Sequence, residues 1–367
     1  MPRRIVPAAH RVHLAAAALA AALAMALSTG CSPNALDAPP PTIDPAQAAE
    51  SPPVTATPAG MVHPLAGTAQ AAVFDAVTDS LVVLGADTGD RSIVTVFSAT
   101  SAAAAAQLDS ARTAQLDSAR TAQLDSPATA MTGGDDGRLF LSTKGGYFRF
   151  DIASGTATKI GVQGLDGVDI TAIARRADGR LVLGSADGAV YTLASDTAVG
   201  ARLKIFARVD SIVTQGNTAV VLDRGQTSVT SLNADGTKSE QALRAGQGAT
   251  TMTADTAGRV LVADTRGGEL LVYGVDPLIL RQRFPVPDSP YGLAASGTRT
   301  GLVWVAQTAI NTVVGYDLAT GIPVEKVRYP TVQQPNSLAF DDASGTLYVV
   351  SGAGDGVQMI AAAGAQR

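Results

Sequence analysis

The sequence contains little of the chemistry that most enzymes and metal-binding domains use. Its 367 residues include one cysteine, three histidines and one tryptophan. A single cysteine excludes a disulfide framework and a Cys-rich zinc site, because both need several thiols. His10 and His13 lie in an N-terminal segment that we expect to be removed, which leaves His63 as the mature histidine. Neither a Ser-His-Asp triad nor a His-rich metal site can be assembled from this inventory.

Basic residues are also scarce once the N-terminus is set aside. The chain has 27 Lys and Arg against 32 Asp and Glu, and residues 1–30 hold three arginines and no acid. Removing them leaves 24 basic and 32 acidic residues, a formal charge of about −8. No basic cluster follows residue 30 in the sequence. These numbers argue against nucleic acid as a partner and against binding to anionic lipid through a basic patch.

Residues 1–30 have the pattern of an export signal. Arg3, Arg4 and Arg11 precede an uninterrupted apolar run at 14–27, which is too short for a comfortable membrane span. The run leads into Leu-Ser-Thr-Gly-Cys at 27–31, which resembles a bacterial lipobox. The resemblance implies that Cys31 carries acyl chains such as palmitate and anchors the mature protein to the extracytoplasmic face of the cell membrane. The paired arginines leave both Sec and twin-arginine export open.

The next thirty residues, 31–60, have the composition of a linker. Eight prolines occur between Ser32 and Gly60, among alanines and polar residues. Such a segment cannot bury a core of its own, so we expect a disordered tether between the lipidated Cys31 and the folded domain.

The rest of the chain is built on a segment that recurs seven times. The copies begin at Ala69, Pro127, Asp169, Arg208, Gly248, Pro290 and Pro335. Twelve positions into each copy stand Leu81, Leu139, Leu181, Val220, Val260, Leu302 and Leu347. Two positions further stand Val83, Leu141, Leu183, Leu222, Val262, Trp304 and Val349. A period near forty residues with short apolar strands predicts an all-β fold, a seven-bladed β-propeller spanning 61–367.

Two irregularities of the repeat carry further predictions. The seventh copy lacks a fourth strand, and we expect 61–65 to supply it and close the ring. The spacing between the first and second copies is too long by two octapeptides, because QLDSARTA occurs at 107–114 and 115–122 before the variant QLDSPATA. We interpret the insertion, at about 101–126, as a duplication tolerated between blades rather than a functional loop. Good helix formers at 102–124 favour a short helix or a mobile excursion there.

Several phrases carry a family resemblance. The sequence Gln-Pro-Asn-Ser-Leu-Ala-Phe-Asp at 334–341, Leu-Tyr-Val-Val at 347–350 and Arg-Val-Leu-Val-Ala-Asp at 259–264 resemble repeats of YVTN and NHL-like propellers. That group includes bacterial surface proteins and lipoproteins, and the alanine-rich, lysine-poor style is similar to actinobacterial lipoproteins. The resemblance covers roughly 61–365 and is specific for fold, not for function.

Polar residues near the predicted channel mouth form the candidate binding site. They stand in loops that lead into inner strands or in turns after second strands: Asp125, Asp169, Asp210, Asp223, Asp264, Asp288, Gln334 and Asn336. Turn geometry alone also favours Asp and Asn. A resemblance to gluconolactonase-type propellers would imply a Ca²⁺ or Mg²⁺ site for lactone hydrolysis, with Asp223 and Asp264 as candidate ligands. We favour a non-enzymatic binding or scaffolding role without a cofactor, for a small polar ligand, a wall component or a protein partner.

Overall fold

The computed structural model of the protein describes residues 41–87, 89–100, 115–116, 119–297 and 300–364. The chain divides into two units, Met1–Pro41 and Thr42–Arg367. Of the first unit only Pro41 is described, so the predicted signal peptide, Cys31 and 32–40 of the predicted tether lie outside the described residues.

The second unit is a seven-bladed β-propeller within its described residues, as the repeat predicts. Each blade is an antiparallel sheet, and consecutive inner strands lie side by side until the seventh meets the first. The first strand among the described residues is β1 (Met61–His63). Blade 1 contains β2 (Ala69–Asp75), β3 (Ser80–Asp87), β4 (Arg91–Thr100), β5 (Gln115–Leu116) and β6 (Arg120–Gln123). Blade 2 contains β7 (Ala128–Gly133), β8 (Arg138–Thr143), β9 (Gly146–Asp151) and β10 (Thr156–Gly161).

The remaining blades repeat this order from the inner to the outer strand. Blade 3 contains β11 (Ile170–Arg175), β12 (Leu181–Ser185), β13 (Ala189–Leu193) and β14 (Val199–Lys204). Blade 4 contains β15 (Ser211–Gln215), β16 (Thr218–Asp223), β17 (Ser228–Leu232) and β18 (Ser239–Arg244). Blade 5 contains β19 (Ala249–Ala254), β20 (Arg259–Asp264), β21 (Glu269–Gly274) and β22 (Ile279–Pro285). Blade 6 contains β23 (Pro290–Ala295), β24 (Leu302–Gln307), β25 (Thr312–Asp317) and β26 (Val324–Pro330), with a 3-10 helix at Thr308–Ile310. Blade 7 contains β27 (Pro335–Asp341), β28 (Thr346–Ser351) and β29 (Val357–Ile360).

The core lies between the blades, where second and third strands are buried on both faces. Every residue of the two repeated apolar columns is at most 6% exposed. Val220 and Leu222 of blade 4, for example, share a cluster with Val260 and Val262 of blade 5. Each such side chain contributes about 1.5–3 kcal/mol by its removal from water. The columns are therefore structural in every copy.

The octapeptide insertion contributes strands over the part that the structure describes. Residues 115–116 and 120–123, within the second and third octapeptides, form β5 and β6. Strand β6 pairs with β4, Ala122 opposite Val94, and so completes blade 1. Of the two predicted alternatives, a short helix or a mobile excursion, neither describes these residues, because covering the edge of β4 outweighs the helix propensity of alanine and arginine. Residues 101–114 and 117–118 lie outside the described residues.

The ring closes through the N-terminal strand, which confirms the predicted donor segment. Strand β1 pairs with β29, with Met61 opposite Met359 and His63 opposite Val357. The closure gives blade 7 its fourth strand from residues nearly 300 positions away in the chain. Both ends of the described propeller are thereby held in one sheet.

The position of His63 on β1 makes ring closure sensitive to pH. Burial lowers the pKa of His63 below its usual value near 6.5, so the folded protein binds its proton less readily than the unfolded chain. The stability associated with neutral His63 is fully present above the pKa that His63 has in the unfolded chain, and it is lost as the pH falls through that value. Between about pH 7.5 and about pH 5.5 the melting temperature should fall more in the wild type than in a His63→Gln variant. Equal slopes for the two proteins would contradict this role of His63.

We call the end of the propeller that holds the loops into inner strands the upper face. Because each second strand runs from the opposite end, the turns between second and third strands also lie on the upper face. The turns that join first to second strands lie on the lower face.

Candidate functional site

The inner strands of all seven blades surround a central cavity of about 480 Å³. Alanine, threonine and serine supply half of its lining residues, since seven inner strands converge there and leave room for small side chains. The polar side chains in the wall are Gln70, Thr132, Asp210, Ser211, Thr214, Thr251, Thr253, Tyr291, Asn336 and Ser337. The site is therefore a hydroxyl-rich channel with apolar patches between the hydroxyl groups.

Some of these hydroxyl groups connect neighbouring blades. Thr251 Oγ1 donates to the Tyr291 carbonyl of the next blade, and Ser337 Oγ donates to the Gln70 carbonyl at 3.3 Å. Beside the channel, Thr171 Oγ1 of blade 3 donates to the Val209 carbonyl, in the loop into blade 4, at 2.5 Å. By contrast, the hydroxyl groups of Thr132, Ser211, Thr253 and Tyr291 have no hydrogen-bond partner among the described residues and remain available to a ligand.

Asp210 is the only charged residue that lines the channel among the residues that the structure describes. Its Oδ1 accepts from Arg208 Nε at 2.6 Å and its Oδ2 accepts from the Arg224 backbone N–H at 2.8 Å. Burial raises the pKa of Asp210, and the opposing effects of the Arg224 N–H and the Arg208 charge are smaller. The channel thus presents one carboxyl group whose charge is already partly satisfied by the protein.

Asp223 and Asp264 lie outside the channel and hold loops together. Asp223 accepts backbone N–H groups of Ala207 at 2.7 Å, Arg208 at 3.3 Å and Gln226 at 3.0 Å. Asp264 accepts those of Gln247 at 2.8 Å, Gly248 at 2.8 Å and Gly267 at 3.0 Å. Both side chains are fully buried. Each carboxylate connects the loop into its own inner strand with the turn after its second strand.

The two aspartates belong to a buried polar column that sequence reasoning missed. The last residue of the second strand in blades 2 to 7 is at most 2% exposed, and the six residues are Thr143, Ser185, Asp223, Asp264, Gln307 and Ser351. Thr143 Oγ1 donates to the Pro127 carbonyl at 2.6 Å, and Ser351 Oγ donates to the Gln333 carbonyl at 2.6 Å. The signal available in the sequence was a polar residue one to three positions after the second apolar column in each of these six copies.

The other predicted site residues divide between the channel and the surface. Asn336 lines the channel, and its Oδ1 accepts from Gln334 Nε2 at 3.0 Å. Asp125 and Asp288 are exposed, and the Asp169 side chain is 66% exposed with one oxygen 3.8 Å from Lys144 Nζ. Only Asp210 and Asn336 of the eight candidates therefore line the cavity.

Gln334 is occupied by a segment that we call the strap, residues 42–60. Ser51 of the strap is 4% exposed. Its N–H donates to Gln334 Oε1 at 2.9 Å, its hydroxyl donates to the Thr308 carbonyl at 2.6 Å, and its carbonyl accepts from Gln333 Nε2 at 2.9 Å. Gln334 Nε2 also donates to the Ala49 carbonyl at 3.0 Å.

The strap crosses the upper face from blade 4 to blade 7. Ile43 N–H donates to the Gly225 carbonyl of blade 4 at 2.8 Å, and Asn311 Nδ2 of blade 6 donates to the Pro52 carbonyl at 2.7 Å. The prediction of a disordered tether differs from this finding over 42–60. The segment is extended, as its prolines require, but side chains from four blades bind its backbone.

Neither a metal centre nor a membrane span emerges from the described residues. Within them no three His, Cys, Asp or Glu side chains come together as a metal site. In the same residues no helix has the length and hydropathy needed to cross a bilayer. Asp223 and Asp264, the candidate cation ligands, direct their oxygens at backbone N–H groups of their own loops.

This geometry defines a seven-bladed β-propeller with a polar channel. The chain is similar in structure to streptogramin B lyase, with a TM-score of 0.62 at 10% identity, covering 82% of this chain and 95% of that one. It is also similar to a chain in the crystal structure of the mitotic checkpoint complex, with a TM-score of 0.65 at 11% identity, covering 90% of this chain and 98% of that one. No family model and no curated protein sequence matches the chain. At these identities the likeness shows the fold alone.

Proposed function

We propose that the protein is an extracytoplasmic lipoprotein whose propeller binds a small polar ligand or an envelope partner at its upper face. The signal pattern of 1–30 and the lone Cys31 support the anchor and the localisation at the cell membrane. The resemblance to YVTN and NHL-like propellers, which include surface proteins and lipoproteins, supports the same assignment.

The channel is the observation that carries the binding role. A concave site of about 480 Å³ with several unpaired hydroxyl groups and one carboxyl group suits a small, hydrogen-bonding ligand. Thr132, Ser211, Thr253 and Tyr291 lie on four different blades, so a ligand could be held from several sides at once. The cation-dependent lactonase alternative has no comparable support, because the carboxylates of Asp223 and Asp264 are each engaged by three N–H groups.

Ligand-induced stabilisation tests the binding role. Amino acids, wall-derived disaccharides and lactones serve as probes for the lipidated protein, and at least one should raise the melting temperature saturably. Asn336→Leu, which removes a polar group from the wall, should abolish that shift, whereas Asp166→Asn, an exposed change in a loop of blade 3, should not. Lactone turnover that depends on Ca²⁺ or Mg²⁺ would contradict the proposal and favour the hydrolase.

A further inference from the structure

We infer that the upper face of blades 4 and 5 rests on the bilayer that carries the anchor, where a rim of arginines contacts anionic lipid headgroups. The inference rests on the proposed lipidation of Cys31, and it adds an orientation and a docking surface to that anchor. Its components are the length of free chain, four arginines and two exposed isoleucines.

The strap shortens the stretch of chain that can separate the anchor from the propeller. Among the described residues, Ile43 is the first with a backbone hydrogen bond to a blade. Residues 32–42 therefore separate Cys31 from the upper face, and eleven extended residues reach at most roughly 40 Å. A free linker over 32–60 would reach roughly 100 Å and would leave the orientation of the propeller open. The bound strap instead brings the chain out at the upper face of blade 4.

Four arginines meet at this point although they are far apart in the sequence. The arginine rim consists of Arg208, Arg224, Arg244 and Arg266, all in loops or strand ends of the upper face of blades 4 and 5. Arg208 Nε and the backbone N–H of Arg224 both donate to Asp210. Arg224 and Arg266 donate to the carbonyls of Ala46 and Asp44, two residues apart in the strap.

Arg244, the fourth arginine of the rim, lies beside Arg266. Arg266 Nη1 donates to the Gln247 carbonyl at 3.3 Å, and Arg244 Nε donates to the adjacent Gly246 carbonyl at 3.0 Å. Thus the four guanidinium groups follow one edge of the upper face, contrary to the expectation from the sequence that the chain has no basic patch.

Few exposed acids neutralise the rim. Among the described residues, Arg224, Arg244 and Arg266 form no ion pair. Asp210 pairs with Arg208, but its side chain is only 6% exposed, and Asp223 and Asp264 are fully buried beneath the rim. Asp44 is the exposed acid of this surface. The exposed charges of this surface are therefore mostly guanidinium groups, with the carboxylates of Asp210, Asp223 and Asp264 beneath them.

Exposed isoleucines accompany the arginines. Ile43 is 37% exposed and Ile205 is 45% exposed. Thr42 precedes Ile43, and Ala207 lies two residues after Ile205. Side-chain atoms of both lie within 3.6 Å of the position that a Cβ of Gly225 would occupy, so the two segments meet at Gly225. Branched apolar side chains beside cationic ones are suited to the boundary between headgroups and acyl chains. The bilayer surface provides both partners at the distance that the linker allows.

Single-cysteine labelling of the full lipidated protein tests the docking surface. Acylation occupies the only native thiol, so Ile205→Cys on the upper face and Ile322→Cys on the lower face each offer one labelling site. Each variant is labelled with a fluorophore and reconstituted in phosphatidylglycerol and phosphatidylcholine vesicles that contain a headgroup-proximal quencher. We expect strong quenching at position 205 and little at position 322, and high salt should reduce the quenching at 205 because it screens the arginines.

A charge variant and its matched control complete the experiment. Arg208→Gln with Arg244→Gln should lower the ratio of docked to undocked protein about five-fold for each arginine removed. Arg138→Gln with Arg180→Gln makes the same charge change on the lower face, where the side chains are 48% and 53% exposed, and should leave the ratio unchanged.

The outcomes separate the docking surface from the anchor. Equal quenching at both positions in protein whose Cys31 is acylated by mass spectrometry would overturn the docking surface and leave the anchor standing. Unacylated Cys31 would overturn both. Undiminished quenching in pure phosphatidylcholine would overturn the assignment of the rim to anionic headgroups.

Discussion

Deletion of residues 61–65 should lower the melting temperature of the protein by roughly 8 °C, corresponding to about 4 kcal/mol. The deletion removes β1, so blade 7 loses its outer strand and the backbone of β29 loses its partner. Val357 and Met359, now at most 2% exposed, would also gain contact with water. An open blade edge further favours pairing with a second copy of the chain, so the variant should aggregate on heating.

Val62→Ala provides the control for this deletion. The Val62 side chain is 43% exposed, so its truncation leaves the pairing with Gln358 in place and should change the melting temperature by no more than about 1 °C. Melting is followed by circular dichroism at equal protein concentrations. A deletion variant that melts like the wild type would show that ring closure by β1 does not stabilise the fold.

The fold was predictable because every copy of the repeat must satisfy the same packing. A second strand between two blades is apolar on both faces, so columns such as Leu181 and Leu183 are visible without any knowledge of the structure. Ring closure was predictable for a related reason, since an incomplete seventh copy must find a fourth strand. These conclusions depend on the repeated apolar pattern and on the strand that the seventh copy lacks. Both can be seen by comparing the copies in the sequence.

The strap and the arginine rim were not predictable because their partners are distant. Proline content indicates an extended chain at 42–60 but does not show whether that chain is bound. Ser51 meets Gln334 across 283 positions, and Arg224 meets Ala46 across 178. Likewise, only the convergence of blades 4 and 5 brings Arg208 and Arg266 to one edge. Spatial clusters of this kind leave no run of charge in the sequence.

The candidate site, too, could be predicted from the sequence only in part. Polar residues in loops and turns, most of them aspartates, were the visible signal, and the aspartates serve at least two purposes. Asp210 faces the channel, whereas Asp264 faces the loops beside it, although both lie at the upper face. A carboxylate that organises a turn and one that meets a ligand have the same local sequence context. The hydroxyl groups of the channel gave no signal, because threonine and serine are common in strands.

Replacement of Asp264 by alanine should cost about 4 kcal/mol and lower the melting temperature by roughly 8 °C. Its two oxygens accept three backbone N–H groups in a fully buried position, and alanine would leave those donors without an acceptor. The loops around Asp264 approach its carboxylate so closely that they have no room for a side chain at two positions. A Cβ at Gly246 or Gly267 would fall within 2.0 Å of Asp264 Oδ2, so glycine is required at both positions.

The same replacement decides between a structural carboxylate and a cation ligand. A structural Asp264 predicts a large loss of stability that neither Ca²⁺, Mg²⁺ nor a chelator changes. A ligand for a bound cation predicts a wild type that is stabilised by the cation, and a variant that loses this response while its cation-free stability changes little. Asp166→Ala, an exposed change on the same face, should have almost no effect in either case. Thermal melts of the three proteins with each cation and with EDTA distinguish the two roles, because the buried N–H groups lose their acceptor in every buffer.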